Sequence, residues 1–349
     1  MHHNNLDFRK GELRMILGQS WLFQSKPVIR GAAAIGGPLE GQGPIKNDFD
    51  VLHKDIWLEE SSFEKAERKM LEQACDTAIQ KAELLKKDIQ FFLCGDLMNQ
   101  IISSSFAART LGIPFLGLYG ACSTSMAGLA LAAQFIDGGY AQNVLTATSS
   151  HNATAEKQYR YPTEYGSQKP PTAQWTVTGA GAAVLAREGV GPRVTAATIG
   201  RVVDMGVSDP FNMGGAMAPA AVATLVAHFQ DCQRTPDDYD LIATGDLGRV
   251  GHQIAADLLV QNGWAIPTAK FTDCGLIIYS KEQPVFAGGS GCACSATVTY
   301  GHLLKRMQKG ELRRILIVAT GALHSPISYQ QKESIPCIAH AVSLEMEYR

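Results

Sequence analysis

The residues best suited to chemistry are cysteine, aspartate and histidine placed where apolar segments begin or end. Cys122 sits in Gly120-Ala121-Cys122-Ser123-Thr124-Ser125, a run of small residues opening an apolar helix through Ala127, Leu129, Leu131 and Phe135. A thiol there lies near unpaired backbone N–H groups and the positive end of the helix dipole, which favours the thiolate. The same N–H groups can hold a carboxylate. The plainer reading is a small thiol that only packs. Asp96, Asp246 and His151 follow strand-like runs, where α/β sheets open their crevice. His324 takes nearly the place of His151 in a later segment. Met213, with Met126 and Phe211, offers an apolar slot. Each histidine also reads as a satisfied structural group, and Asp96 as the cap of a following helix.

Other chemistries find little support. The eight cysteines form no pair of C-x-x-C elements, and Cys292-Ala293-Cys294 is too closely spaced for a structural zinc site. The glycine-rich stretches 31–43 and 287–291 lack the P-loop form, and Gly179-Ala180-Gly181 is no dinucleotide fingerprint. A net charge of −2 gives no general case for nucleic acid. The basic run from Lys305 to Arg314 reads as a solvated helix end. No apolar run is long enough to span a bilayer, and the first residues lack a secretory plan. Residues 1–14 are expected to be a disordered extension. No cofactor and no metal are expected.

The elements that must carry these residues alternate between strand and helix. Residues 62–87 have a helical apolar stripe at Met70, Leu71, Ala74, Ala78 and Leu85. A strand at 90–94 ends in Gly95-Asp96-Leu97, and Gly138-Gly139 stops the Cys122 helix before a strand at 143–148. The order then recurs. Strand 240–244 ends in Gly245-Asp246-Leu247, Ala293-Cys294-Ser295 opens a helix reaching Gly310, and strand 314–320 follows. A constant shift of 172 carries Cys122 to Cys294, Gly138 to Gly310 and Thr148 to Thr320. The chain is therefore expected to hold two copies of one α/β unit, at 15–190 and 191–349. Stacked, they give layers of helix, sheet, helix, sheet and helix.

The Cys122 segment, Thr178-Gly179-Ala180-Gly181-Ala182-Ala183-Val184-Leu185 and Gly288-Gly289-Ser290-Gly291-Cys292-Ala293-Cys294-Ser295 resemble thiolases and β-ketoacyl synthases, the synthase III branch above all. That likeness implies a duplicated thiolase-like fold, five-layered α-β-α-β-α, with Cys122 at the nucleophile position and Cys294 structural. It also implies a catalytic His near Thr244-Gly245-Asp246 and an Asn near Ser290, and this chain has neither there. His252 is expected on a helix, and Gly301-His302-Leu303 within another.

The stretches 36–44, 95–100 and 209–219 resemble a family of sporulation proteins, stage V sporulation protein AD. This implies a non-enzymatic protein that binds dipicolinate (pyridine-2,6-dicarboxylate) and assists its uptake into the developing spore. It would sit peripheral to the spore inner membrane, with other proteins of the same sporulation operon as partners. Thiolase-like folds also make a homodimer plausible. A dianionic aromatic acid wants N–H donors, histidine and an apolar slot, so the expected ligand residues are Cys122, His151, Asp96, His324, Asp246 and Met213. The alternative is a condensing enzyme for acyl-CoA or acyl-carrier protein with Cys122 as nucleophile and His151, His252 or His324 as base. A third reading is a scaffold presenting a surface to membrane proteins.

Overall fold

The structure is a computed structural model that describes residues 18–159 and 169–347. The expected extension 1–14 lies outside the described residues. In the first half the strands lie in the order Phe115–Gly117, Phe91–Gly95, Asn143–Ser150, Gly179–Ala186 and Val28–Gly36. In the second half the order is Phe271–Asp273, Leu241–Thr244, Arg314–Ala322, Cys337–Glu345 and Arg193–Ile199. In each half the first three strands run parallel and the next two join antiparallel. The repeat seen in the sequence is thus a repeat of topology. The two sheets touch edge to edge through the pair Val28–Arg193, so the hydrogen-bonded path is continuous.

Among the described residues, three large apolar cores separate the layers. One packs helix Phe63–Lys81 and helix Ile102–Leu111 on the first sheet, and its counterpart packs Met213–Asp231 and Gly248–Gln261 on the second. The largest lies between the sheets, around Thr124–Asp137 and the helical run 292–308. Each large aliphatic side chain buried there contributes about 1.5–3 kcal/mol. The strands Gly179–Ala186 and Arg314–Ala322 are buried along nearly their whole length, as a sheet covered on both faces requires.

Two helices differ from expectation. Helix Phe63–Lys81 ends well before residue 87, because Glu83 takes a left-handed turn at φ 55°, and Leu85 is left exposed. The helix expected to run to Gly310 is broken by a π-helical stretch, Val298–Leu303, between Cys292–Thr297 and Leu304–Gln308. Just before it, Thr297 Oγ1 donates to the Ala293 carbonyl at 2.7 Å, a back-bond that bends helices. Among the described residues, no helix is long and apolar enough to cross a membrane.

Candidate functional site

The site is built around a tight elbow. The backbone turns at Ala121, which holds φ 49°, a conformation that a residue with a Cβ adopts only under constraint. The constraint is visible. Ser123 Oγ donates to the Gly120 carbonyl at 2.6 Å, Thr124 Oγ1 to the Ala121 carbonyl at 2.7 Å, and the Cys292 thiol to the same Ala121 carbonyl at 3.0 Å. The second-half strand Arg314–Ala322 presses on the elbow at Gly321, where any Cβ would strike the Gly120 carbonyl oxygen. Across the seam, Ser125 and Ser295 hydroxyls meet at 2.7 Å. Each half therefore clamps the other at this point.

Beyond the elbow lies a narrow, largely apolar pocket with about 30 Å³ of free space. The first half supplies Leu97, Ala121, Cys122, Ala155, Tyr159 and Thr176, and the second supplies Met213, Ser290, Ala322 and His324. Thr176 and Ser290 stand opposite each other in a short parallel pair of strands. The structure thus brings together Cys122, Met213 and His324 of the expected ligand residues. Asp246 sits directly behind the lining. Its carboxylate accepts from Thr320 Oγ1 at 2.6 Å, Ser290 Oγ at 3.0 Å and Gly291 N at 3.0 Å.

Asp96 and His151 are elsewhere. Asp96 caps the helix that follows it, accepting from Met98 N at 2.9 Å, Ser104 N at 2.8 Å and Ser104 Oγ at 2.7 Å. His151 is fully buried against Phe63. Its Nδ1 accepts from Ala153 N at 3.1 Å, so the neutral ring carries its proton on Nε2 and donates to the Ile56 carbonyl at 2.9 Å. Neither lines the pocket. Met126 is core, and Phe211 does not reach the lining. His252 lies on helix Gly248–Gln261 against Phe271, His302 pairs with Asp48 at 2.6 Å, and Cys294 is buried with its thiol toward the Gly245 carbonyl.

The electrostatics reverse one expectation. Position at a helix start was to favour the Cys122 thiolate. Instead burial pushes the Cys122 thiol well above its ordinary range, and the Asp246 carboxylate beside it adds to the rise. Burial likewise raises Asp246 itself, against the lowering effect of its hydrogen-bond donors. The local dipole is outweighed by desolvation and a neighbouring acid. Tyr159, Leu97, Ala155 and Thr176 were not anticipated from the sequence. Leu97 follows Asp96 in a recurring motif and was findable. Tyr159, eight residues past His151, is delivered by tertiary packing alone. Among the described residues, no group of His, Cys, Asp and Glu side chains could hold a metal.

The family model for stage V sporulation protein AD matches residues 18–345. The chain is 52% identical over 327 residues to stage V sporulation protein AD of Bacillus subtilis strain 168, covering 94% of this chain and 96% of that one. A solved structure of an OleA variant from Xanthomonas campestris superposes with a TM-score of 0.61 at 17% identity, covering 93% of this chain and 99% of that one. The 3-oxoacyl-[acyl-carrier-protein] synthase III of Aquifex aeolicus VF5 gives a TM-score of 0.57 at 16% identity, covering 91% and 99%. These structural likenesses establish a thiolase-like fold.

Proposed function

The chain belongs to the stage V sporulation protein AD family, and from that premise we propose that it is a non-catalytic binding protein for dipicolinate. In this reading it supports uptake of the acid into the developing spore, held at the inner membrane by proteins of the same operon. The observation that carries the non-catalytic part is Asp246. Acyl transfer through a thiol needs a thiolate and then donors for a developing oxyanion. Here a carboxylate stands behind the thiol, where the synthase-like pattern calls for neutral donors, and opposes both charges. Ser290, at the position expected for the Asn, is committed to that carboxylate.

What remains suits a planar ring with polar edges. Leu97, Ala121, Ala155, Met213 and Ala322 offer an apolar slot, while Thr176, Tyr159 and His324 offer polar groups around it. Surface plasmon resonance with dipicolinate tests the proposal. The expected result is saturable binding, weakened at least tenfold by Cys122→Leu and by His324→Ala, and unchanged by His151→Ala. Absence of binding to the wild type, or equal binding by all variants, would sink it.

The elbow thiol supports a second reading, a condensing enzyme acting on acyl-CoA or acyl-carrier protein. Incubation with radiolabelled acetyl-CoA separates the two. The binding-protein reading expects no turnover-competent label on Cys122, and finding one would establish the alternative.

A further inference from the structure

The Cys122 pocket adjoins a second, more open cleft of about 350 Å³. Its lining includes Asn99, Gln100, Tyr119, Tyr159 and Ser325, and none of its described lining residues is an acid. The two cavities share Leu97 and Tyr159. Tyr159 lies on helix Asn152–Tyr159, and its hydroxyl donates to the Leu97 carbonyl, with the Tyr119 hydroxyl 3.4 Å away. The Tyr159 ring also lies 5.9 Å from that of His324. The wall between the cavities is therefore a side chain latched by hydrogen bonds to a carbonyl and a neighbouring phenol. The cleft's floor is preset, because Gln100 and Ile101 both hold left-handed backbone, at φ 54° and 46°. Two such residues in succession store strain that packing must hold in place.

We propose that this outer cleft is a loading subsite for a carboxylate ligand, and that Tyr159 is the latch the ligand displaces to reach Cys122. The side-chain amides of Asn99 and Gln100 are neutral donors for a carboxylate, joined by the Tyr119 hydroxyl once Tyr159 has moved. Once the phenol lets go of Leu97, the outer and inner cavities become one. The proposal deepens the binding-protein reading of the same site.

Its test does not depend on the ligand's identity. Wild-type, Tyr159→Ala and Tyr159→Phe proteins are treated with iodoacetamide, and labelling of Cys122 is followed by mass spectrometry. Fully buried Cys75 and Cys294 report any general loosening. Tyr159→Ala, which removes wall and latch, is expected to speed labelling of Cys122 at least tenfold with Cys75 and Cys294 unmodified. Tyr159→Phe keeps the ring but loses the hydrogen bonds, and is expected to fall between the two. A Cys122 rate within twofold of wild type in Tyr159→Ala would overturn the latch, as would acceleration shared equally with Cys294. Stopped-flow dipicolinate binding then checks the subsite, with Asn99→Ala plus Gln100→Ala expected to slow association at least threefold. Unchanged association would overturn the loading role. Absent binding to a wild type whose Cys122 labelling responds to Tyr159 would instead overturn dipicolinate as the ligand, leaving the latch standing.

Discussion

The two halves share a strand order and a motif yet use them differently. Gly95-Asp96-Leu97 and Gly245-Asp246-Leu247 both end a central strand. Asp96 caps the helix that follows in its own half. In the second half that duty passes to Asp273, which accepts from Leu247 N at 2.8 Å and Gly248 N at 3.0 Å. Asp246 is thereby released to hold Ser290 and Gly291 beside Cys122. The paired cysteines divide in the same way, since Cys122 lines a cavity and Cys294 is spent on the Gly245 carbonyl. A duplicated backbone makes two equivalent positions, and the seam between the halves selects which of them meets a ligand.

The two halves should differ most at the motif glycines. A Cβ at Gly95 would collide with the Leu118 carbonyl oxygen, whereas at Gly245 it would lie 2.8 Å from Ala319 Cα. Gly95→Ala should cost about 3 kcal/mol and Gly245→Ala about 1 kcal/mol, since overpacking into fixed backbone relaxes poorly. Urea unfolding of both variants measures this, and equal costs would contradict it.

Next comes the pH dependence of stability. Burial, with Asp96 nearby, pushes Glu67 in the first half up to about 8, from an ordinary 4.5. Burial raises Asp273 in the second half to about 7, from 3.8. Both groups hold a proton more tightly folded than unfolded, so they favour folding at low pH. Their support is lost as pH rises from about 4.5 towards 8 for Glu67, and from about 3.8 towards 7 for Asp273. Glu67→Gln should flatten the fall in stability up to pH 8, and Asp273→Asn the part below pH 7. Denaturation midpoints across that range provide the check, and an unchanged slope in Glu67→Gln would refute it.

The smallest effect sharpens the role swap itself. Asp246→Asn removes the acid beside Cys122 and should lower its thiol pKa, raising its alkylation rate at pH 8 by about threefold to tenfold. Asp96→Asn should leave that rate unchanged and loosen helix Ile102–Leu111, seen as faster amide exchange there.

The architecture was legible because it rests on local signals repeated twice. Small residues opening a buried helix, Gly138-Gly139 closing it with Gly139 at φ 80°, and strands rich in Ala and Val all fall where the residue pattern places them. The site was legible only in part. Cys122, Met213 and His324 converge on the cavity, but Asp96 and His151 satisfy their own backbone neighbourhoods. Nothing in a strand-end aspartate says whether it will cap a helix or face a seam. That choice depends on Asp273, distant in sequence, which relieves Asp246 but has no part in the first half. The thiol was misjudged for a related reason, because the helix dipole is local while burial and the Asp246 carboxylate come from tertiary packing.

The most direct measurement is a crystal structure of the protein soaked with dipicolinate. The pyridine ring is expected between Leu97, Ala155 and Met213, with its carboxylates at Thr176 or His324 and no covalent bond to Cys122. Dipicolinate bound away from this pocket, or density continuous with the Cys122 sulfur, would contradict it.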